Sequence, residues 1–174
     1  MVLELIQDME KALQNECYLG ALMIALTLPD ICGKAEYPKE KTTLRYIHWY
    51  NEYVGKHDIN PDDDIQMPYL SGEVVNSLRN FIFHQGTPDI NYQKQQPDHK
   101  KIEKFVLQIT ETNGIYSDAC CENVFTDGCT YYANIGRLCF IIGKSAKGYY
   151  YKNQDKFDFI NYKIQDMRII TKGR

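Results

Sequence analysis

The feature of this sequence that most constrains its fold is the apolar stretch at residues 17–28, which carries almost no polar side chain on any side of a helix. A helix that is apolar all round must be covered on several sides. The stretch is shorter than the roughly 20 residues of a bilayer-spanning helix, and no basic amino-terminal stretch precedes it. We therefore expect a central helix in a cytoplasmic protein without a membrane segment. Pro29 should stop or kink this helix, and Asp30 and Gly33 should close it.

Apolar residues that recur at three- and four-residue steps predict the helices that surround this central one. These amphipathic helices are expected at residues 2–13, 42–54, 71–85 and 136–151. Thr42 or Thr43 can cap the second of them and Ser71 the third, because their hydroxyl oxygens accept hydrogen bonds from free backbone N–H groups. The predicted fold class is therefore mainly α, a helical bundle.

Alternation of apolar and polar side chains predicts a small antiparallel β element in the carboxy-terminal third. Residues 105–110 and 130–135 alternate in this way, and a polar, cysteine-bearing loop joins them. We expect these two segments to pair with each other. Residues 157–162 can add an edge strand.

The length and composition are those of one globular domain. The sequence has 174 residues, of which 44% are hydrophobic and 25% are charged. We expect a single domain over residues 1–174, with a helical bundle at 1–92 and, at 101–174, short strands and a final helix packed on it. The net charge of -3 argues against a protein that coats nucleic acid, because such binding needs clustered Lys and Arg. Any nucleic-acid contact must therefore be local.

The cysteines and acidic residues do not follow a known metal or disulfide motif. The six cysteines have the spacing neither of a zinc site nor of a small secreted scaffold, which indicates reduced thiols in the cytoplasm. Asp58, Asn60 and Asp62 alternate as at the start of a calcium loop, but Asp63 and Tyr69 replace the glycine and glutamate that such a loop needs. We expect no metal and no cofactor.

The helix at residues 42–54 has an aromatic face, which consists of Tyr46, Trp49, Tyr50 and Tyr53. Such a face is typical of a core or of a subunit contact. A second interpretation is a stacking platform for nucleic-acid bases. The sequence leaves both interpretations open.

The helix at residues 71–85 has two distinct faces. The core-facing stripe consists of Val74, Val75, Leu78, Phe81 and Ile82, and the opposite side consists of Arg79, Asn80, Phe83 and His84. An exposed aromatic ring needs cover while the polar side chains around it need a cleft, and a second subunit would supply both. We therefore expect a homodimer whose two-fold axis brings two copies of this face together.

The sequence RNFIFH at residues 79–84 resembles the motif of the HEPN superfamily (higher eukaryotes and prokaryotes nucleotide-binding), an arginine followed by a polar residue and then, within the same helix, by a histidine. HEPN proteins are small helical bundles, commonly dimers. Many are metal-independent ribonucleases of toxin, antiphage and RNA-processing systems. The resemblance implies that Arg79, Asn80 and His84 are catalytic residues in a dimer cleft, that RNA is the substrate, and that an antitoxin or another protein is a partner.

These residue types suit the chemistry that the resemblance implies. Cleavage of RNA by its own 2'-hydroxyl needs a group that moves protons near neutral pH, a role that His84 can fill. It also needs a fixed cation for the charge of the phosphorane, a role that Arg79 can fill. Asn80 can orient either the histidine or the substrate. The reaction needs neither a metal nor a nucleoside cofactor.

A second resemblance leaves a noncatalytic interpretation open. The segments LTLPDICG, RYIHWYNEYVG and LSGEVVNSLRNFIFHQG are similar to those of a family of bacterial proteins, and this similarity implies no activity. On this interpretation Arg79 pairs with an acid across helices, and His84 donates to a carbonyl near the helix end. The protein would then be a helical dimer that binds a protein or a nucleotide.

Overall fold

Five α-helices form the larger part of the fold, and the apolar stretch of the sequence lies at their centre. The computed structural model describes residues 1–58, 70–85, 101–110, 117–125, 128–160 and 164. The helices are α1 (Val2–Gln14), α2 (Tyr18–Glu36), α3 (Thr42–Tyr53), α4 (Gly72–Asn80) and α5 (Ile135–Lys152). Short 3-10 turns lie at Gly55–His57 and Gln154–Phe157. The protein is therefore mainly helical, as predicted.

Helix α2 is the central helix, because α1, α3 and α5 all pack against it. It continues through Pro29 to Glu36. The prediction that the helix ends at Pro29, with Asp30 and Gly33 closing it, is therefore wrong. A proline inside a helix costs about 3 kcal/mol, and the buried residues beyond it, such as Cys32 and Ala35, offset this cost by packing into the core.

Among the described residues, α2 is the one helix whose length and composition would allow it to cross a membrane. Its most apolar window has a mean hydropathy of 1.2, and 50% of that window is buried inside the protein. The helix has 19 residues and is therefore longer than the apolar stretch at residues 17–28. Its length alone does not exclude a membrane span. Contacts with the four other α-helices cover its buried part.

The aromatic face of α3 serves the core of the protomer. Tyr46, Trp49 and Tyr50 have no exposed surface. This agrees with the interpretation of the aromatic face as part of a core rather than as a stacking platform for bases. The predicted cap of α4 is confirmed, because Ser71 Oγ accepts a hydrogen bond from Val74 N at 3.4 Å. The predicted cap of α3 is not, because its N-cap residue is Lys41, which makes no side-chain capping bond.

The strands form a mixed sheet rather than the predicted antiparallel pair. They are β1 (Lys101–Gln108), β2 (Ala119–Glu122) and β3 (Gly128–Asn134), in the order β1-β3-β2. β1 pairs with β3 in parallel, with Phe105 opposite Tyr131, and β2 pairs with β3 antiparallel. The cysteine-bearing loop thus contains a strand. β2 occupies one side of β3, so β1 pairs with the other side, where it runs parallel to β3.

A polar network joins the sheet to α5. Asn134 Oδ1 caps α5 by accepting from Arg137 N at 3.1 Å. Asp118 Oδ2 accepts from Tyr131 Oη at 2.6 Å and from Arg137 Nη1 at 2.8 Å, while Asp118 Oδ1 accepts from Asn134 N at 2.7 Å. Arg137 also pairs with Asp58 of the helical half. The network therefore ties Asp58 and Asp118, which are distant in the sequence, to β3 and the start of α5.

Several predictions concern residues at the margins of the described chain. Residues 157–160 form part of a 3-10 turn and the turn after it, not a strand. Residues 161 and 162 of the predicted edge strand and residues 59–69 of the acidic loop lie outside the described residues. The final helix is confirmed, and it packs against α1, α2 and α3.

Candidate functional site

Helix α4, which carries the first part of the predicted motif, lies very close to α3. Gly72 N donates to Asn51 Oδ1 at 2.7 Å. A Cβ atom on Gly72 would lie 2.6 Å from Ile47 O, so a larger residue would force the helices apart. Val74, Val75 and Leu78 are buried, as predicted. α4 is thus positioned by its glycine and by its core stripe.

The helix widens directly after Asn80. Residues Phe81–Gln85 form a π-helical turn, in which hydrogen bonds join residues five apart rather than four. Residues four apart are then no longer aligned along one face as they are in an α-helix. The predicted alignment of Asn80 with His84 is therefore altered. His84 lies in this turn, but its side chain lies outside the described residues. π turns inside helices occur frequently at functional sites.

Arg79 is directed towards α2 rather than away from the interior. Its Nη2 atom lies 2.6 Å from Asp30 Oδ2, and the side chains of Arg79 and Asp30 are 23% and 19% exposed. The guanidinium carbon lies 5.7 Å from the ring centroid of Tyr46 and 5.6 Å from that of Phe83. Phe83 itself is partly buried against the core. The expectation that Arg79 and Phe83 lie on a face separate from the core is therefore wrong.

Arg79 also contacts the second residue of the predicted motif. Its Nη1 atom donates to Asn80 Oδ1 at 3.1 Å. The structure thus brings Arg79 and Asn80 together and adds Asp30 to them. The pairing with Asp30 is the contact across helices that the noncatalytic interpretation expected.

The surroundings of Arg79 hold polar atoms whose hydrogen-bonding capacity is not used. In the described part of the chain, four buried atoms in this region have no hydrogen-bond partner: Asp30 Oδ1, Arg45 Nε, Tyr46 Oη and Arg79 Nε. Most buried polar groups in proteins are hydrogen-bonded, and each exception calls for an explanation. We refer to Asp30, Arg45, Tyr46 and Arg79 as the Arg79 cluster.

Burial dominates the electrostatics of this cluster. It raises the pKa of Asp30, although the nearby charges of Arg79 and Arg45 act in the opposite direction. It also raises the pKa of Tyr46, and the charge of Asp30 adds to that effect. The cluster therefore keeps a carboxylate and a phenol in surroundings that disfavour their charged forms.

Asp30 is a residue of this site that the sequence does not single out. Its position after Pro29 predicts only the end of a helix. The signal that could have identified it is an acidic residue between buried apolar positions, since a carboxylate inside a packed domain is normally paired.

Breaking the pair between Arg79 and Asp30 is expected to destabilise the protein. Arg79→Met keeps the length of the side chain but leaves Asp30 without its cation, and Asp30→Asn leaves Arg79 without its carboxylate. Each change should lower the free energy of unfolding by about 2 kcal/mol, because a poorly solvated charge loses its partner. Urea unfolding of both single variants and of the double variant measures the coupling, expected at about 1–2 kcal/mol. Strictly additive effects would contradict the proposed pairing.

Comparisons with known proteins identify no relative, since no protein-family model, curated protein or solved structure matches this chain. Among the described residues, no group of three or more His, Cys, Asp or Glu side chains is arranged to hold a metal ion.

Proposed function

We propose that this protein is a metal-independent endoribonuclease of the HEPN type that acts as a homodimer. Arg79, Asn80 and His84 of each copy would face a shared cleft. The observation that carries the proposal is the Arg79 cluster, in which buried polar atoms without partners surround an arginine that touches Asn80. Polar groups held in position without being satisfied, and carboxylates with shifted pKa, are typical of functional sites.

Each residue has a distinct role in the proposed reaction. His84 accepts the proton of the ribose 2'-hydroxyl, whose oxygen attacks the neighbouring phosphorus atom. The bond from phosphorus to the 5'-oxygen then breaks, and that oxygen takes up the proton from the protonated His84, which leaves a cyclic phosphate and a 5'-hydroxyl and returns His84 to its neutral form. Arg79, whose side chain is 23% exposed, stabilises the charge on the phosphorane. Asn80 holds Arg79 through the bond to its Nη1 atom.

Cleavage of single-stranded RNA in the presence of EDTA tests this proposal. We expect the wild-type protein to cleave and His84→Ala to lose about 100-fold in rate, the lower end of what a general acid or base contributes. His57→Ala is the matched control, because His57 is exposed and lies in a separate 3-10 turn. It should cleave at the wild-type rate. Both variants should keep the wild-type melting temperature.

Three results would contradict the proposal. One is the absence of cleavage by a folded, dimeric wild-type protein over a panel of single-stranded RNAs. Another is cleavage by His84→Ala at the wild-type rate, which would remove His84 from the site. Cleavage that requires a divalent cation would exclude the metal-independent mechanism.

A second candidate function is a noncatalytic helical dimer that binds a protein or a nucleotide. The observation that favours it is that both terminal nitrogens of Arg79 are already engaged, one with Asp30 and one with Asn80. Arg79 would then serve to hold α2 and α4 together. This alternative predicts a stable dimer in light scattering, no cleavage of RNA, and a loss of stability in Arg79→Met.

A further inference from the structure

A carboxylate at the end of α2 binds two side chains from other parts of the chain. Glu36 Oε2 accepts from Tyr149 Oη at 2.7 Å, and Lys156 Nζ lies 2.6 Å from the same atom. The side chain of Tyr53 also lies beside Glu36. The bond from Lys156, with smaller contributions from the two tyrosines, holds the pKa of Glu36 below its ordinary value. Glu36 is therefore a carboxylate at neutral pH.

Tyr149 and Tyr53 beside this carboxylate belong to a group of packed aromatic rings. The rings of Tyr53 and Tyr149 meet edge to face at 4.9 Å, and Trp49 stacks on Tyr53 at 5.4 Å. Lys156 Nζ lies 6.0 Å from the centroid of the Tyr149 ring. Aromatic faces beside an anion are the surroundings that recognise an alkylammonium group, because the ring quadrupole and the carboxylate both attract the cation.

The segment that carries Lys156 packs against the helices through its aromatic side chains. It comprises residues 154–160, which follow the end of α5 at Lys152. Phe157 is buried and packs against Tyr150 at 5.0 Å between ring centroids. A lysine of α2 also contacts this segment, since Lys34 Nζ lies 4.5 Å from the centroid of the Phe159 ring. The segment therefore places Lys156 against the helices, and α2 places Lys34 against the segment.

We propose that Glu36, Tyr53 and Tyr149 form a binding site for a primary ammonium group and that residues 154–160 are a releasable latch that fills it with Lys156. When the latch is released, the site binds the ammonium of another lysine side chain. This site shares no residue with the Arg79 cluster, so it does not depend on the proposed ribonuclease function.

The strength of the latch fits this role. The side chain of Lys156 is 38% exposed and that of Glu36 is 22% exposed. A partly exposed ion pair of this kind shifts an equilibrium by about fivefold. The bond thus favours the closed state, to which the buried ring of Phe157 also contributes.

Amide hydrogen exchange tests the latch. Lys156→Met removes the ammonium and keeps the length of the side chain. We expect the amides of residues 154–160 to exchange about fivefold faster in this variant. Lys152→Met is the matched control, because Lys152 is an exposed lysine at the end of α5, and it should exchange at the wild-type rate. Unchanged exchange in Lys156→Met, or equal acceleration in the control, would overturn the latch.

A titration with n-butylammonium chloride tests the ammonium site. Trp49 is the only tryptophan of the chain and stacks on Tyr53, so its fluorescence reports on the site. We expect a saturable change in Lys156→Ala and at least fivefold weaker binding in the wild-type protein, whose site is filled. Adding Glu36→Gln to Lys156→Ala should abolish the change. A response no larger than that to sodium chloride, or equal affinity in the wild-type protein, would overturn the site.

Discussion

Replacing Asp118 by alanine is expected to lower the free energy of unfolding by about 3–5 kcal/mol, the cost of removing one partner of a buried charge pair. The side chain of Asp118 is only 4% exposed and accepts hydrogen bonds from Tyr131, Asn134 and Arg137. Its loss leaves the buried hydroxyl of Tyr131 and the N–H of Asn134 without an acceptor. Arg137 then retains only Asp58 among the carboxylates of this network. Thermal and urea unfolding measure the effect.

A matched control for this variant is Asp155→Ala. Asp155 is an exposed aspartate in the turn Gln154–Phe157. Its replacement should change the free energy of unfolding by less than about 0.5 kcal/mol, as is usual for surface positions. Equal stability losses in the two variants would show that the network around Arg137 does not join the sheet to α5 as described.

Gly33→Ala is expected to destabilise the protein by about 3 kcal/mol, at the upper end of the usual cost of overpacking. A Cβ atom at this position would lie 2.6 Å from Arg45 O and 3.0 Å from Arg45 C. These are backbone atoms of α3, so they cannot move aside as the end of a side chain can. The helices must separate, and the change also reaches the Arg79 cluster, since Asp30 lies one turn before Gly33 and Arg45 belongs to that cluster.

Helix α2 contains its own control for this experiment. Gly20 is exposed and a Cβ atom there would meet nothing within 4 Å. Gly20→Ala should therefore stabilise the protein by up to about 1 kcal/mol through the higher helix propensity of alanine. Opposite signs for the two glycines of one helix are the expected result. Stabilisation by Gly33→Ala would mean that α2 and α3 are not in close backbone contact.

The helices could be predicted because the information for them is local. Residues such as Val74, Val75 and Leu78 recur with the helical period and are buried as that period implies. The cap at Ser71 is also local, since it involves a residue and its neighbour three positions on. The burial of Tyr46, Trp49 and Tyr50 follows from the same kind of pattern, although the sequence could not decide between a core and a stacking platform.

The candidate site could be predicted only in part. The sequence singled out Arg79 and Asn80 as neighbours on one helix, and the structure adds the hydrogen bond between them. Asp30 lies 49 positions away from Arg79 in the numbering of the chain. The pattern of residues within α4 cannot indicate that Asp30 is the partner of Arg79, because this contact depends on how α2 and α4 pack.

The sequence by itself therefore determined which segments are helical, which of their faces are apolar, and which helix is central. Only the tertiary structure decided that α2 passes through Pro29, that Arg79 is directed to Asp30, and that β1 runs parallel to β3. The physical reason is that periodicity and capping act between residues a few positions apart. Ion pairs, close glycine contacts and strand direction depend instead on which elements meet, and the burial of the whole core sets that arrangement.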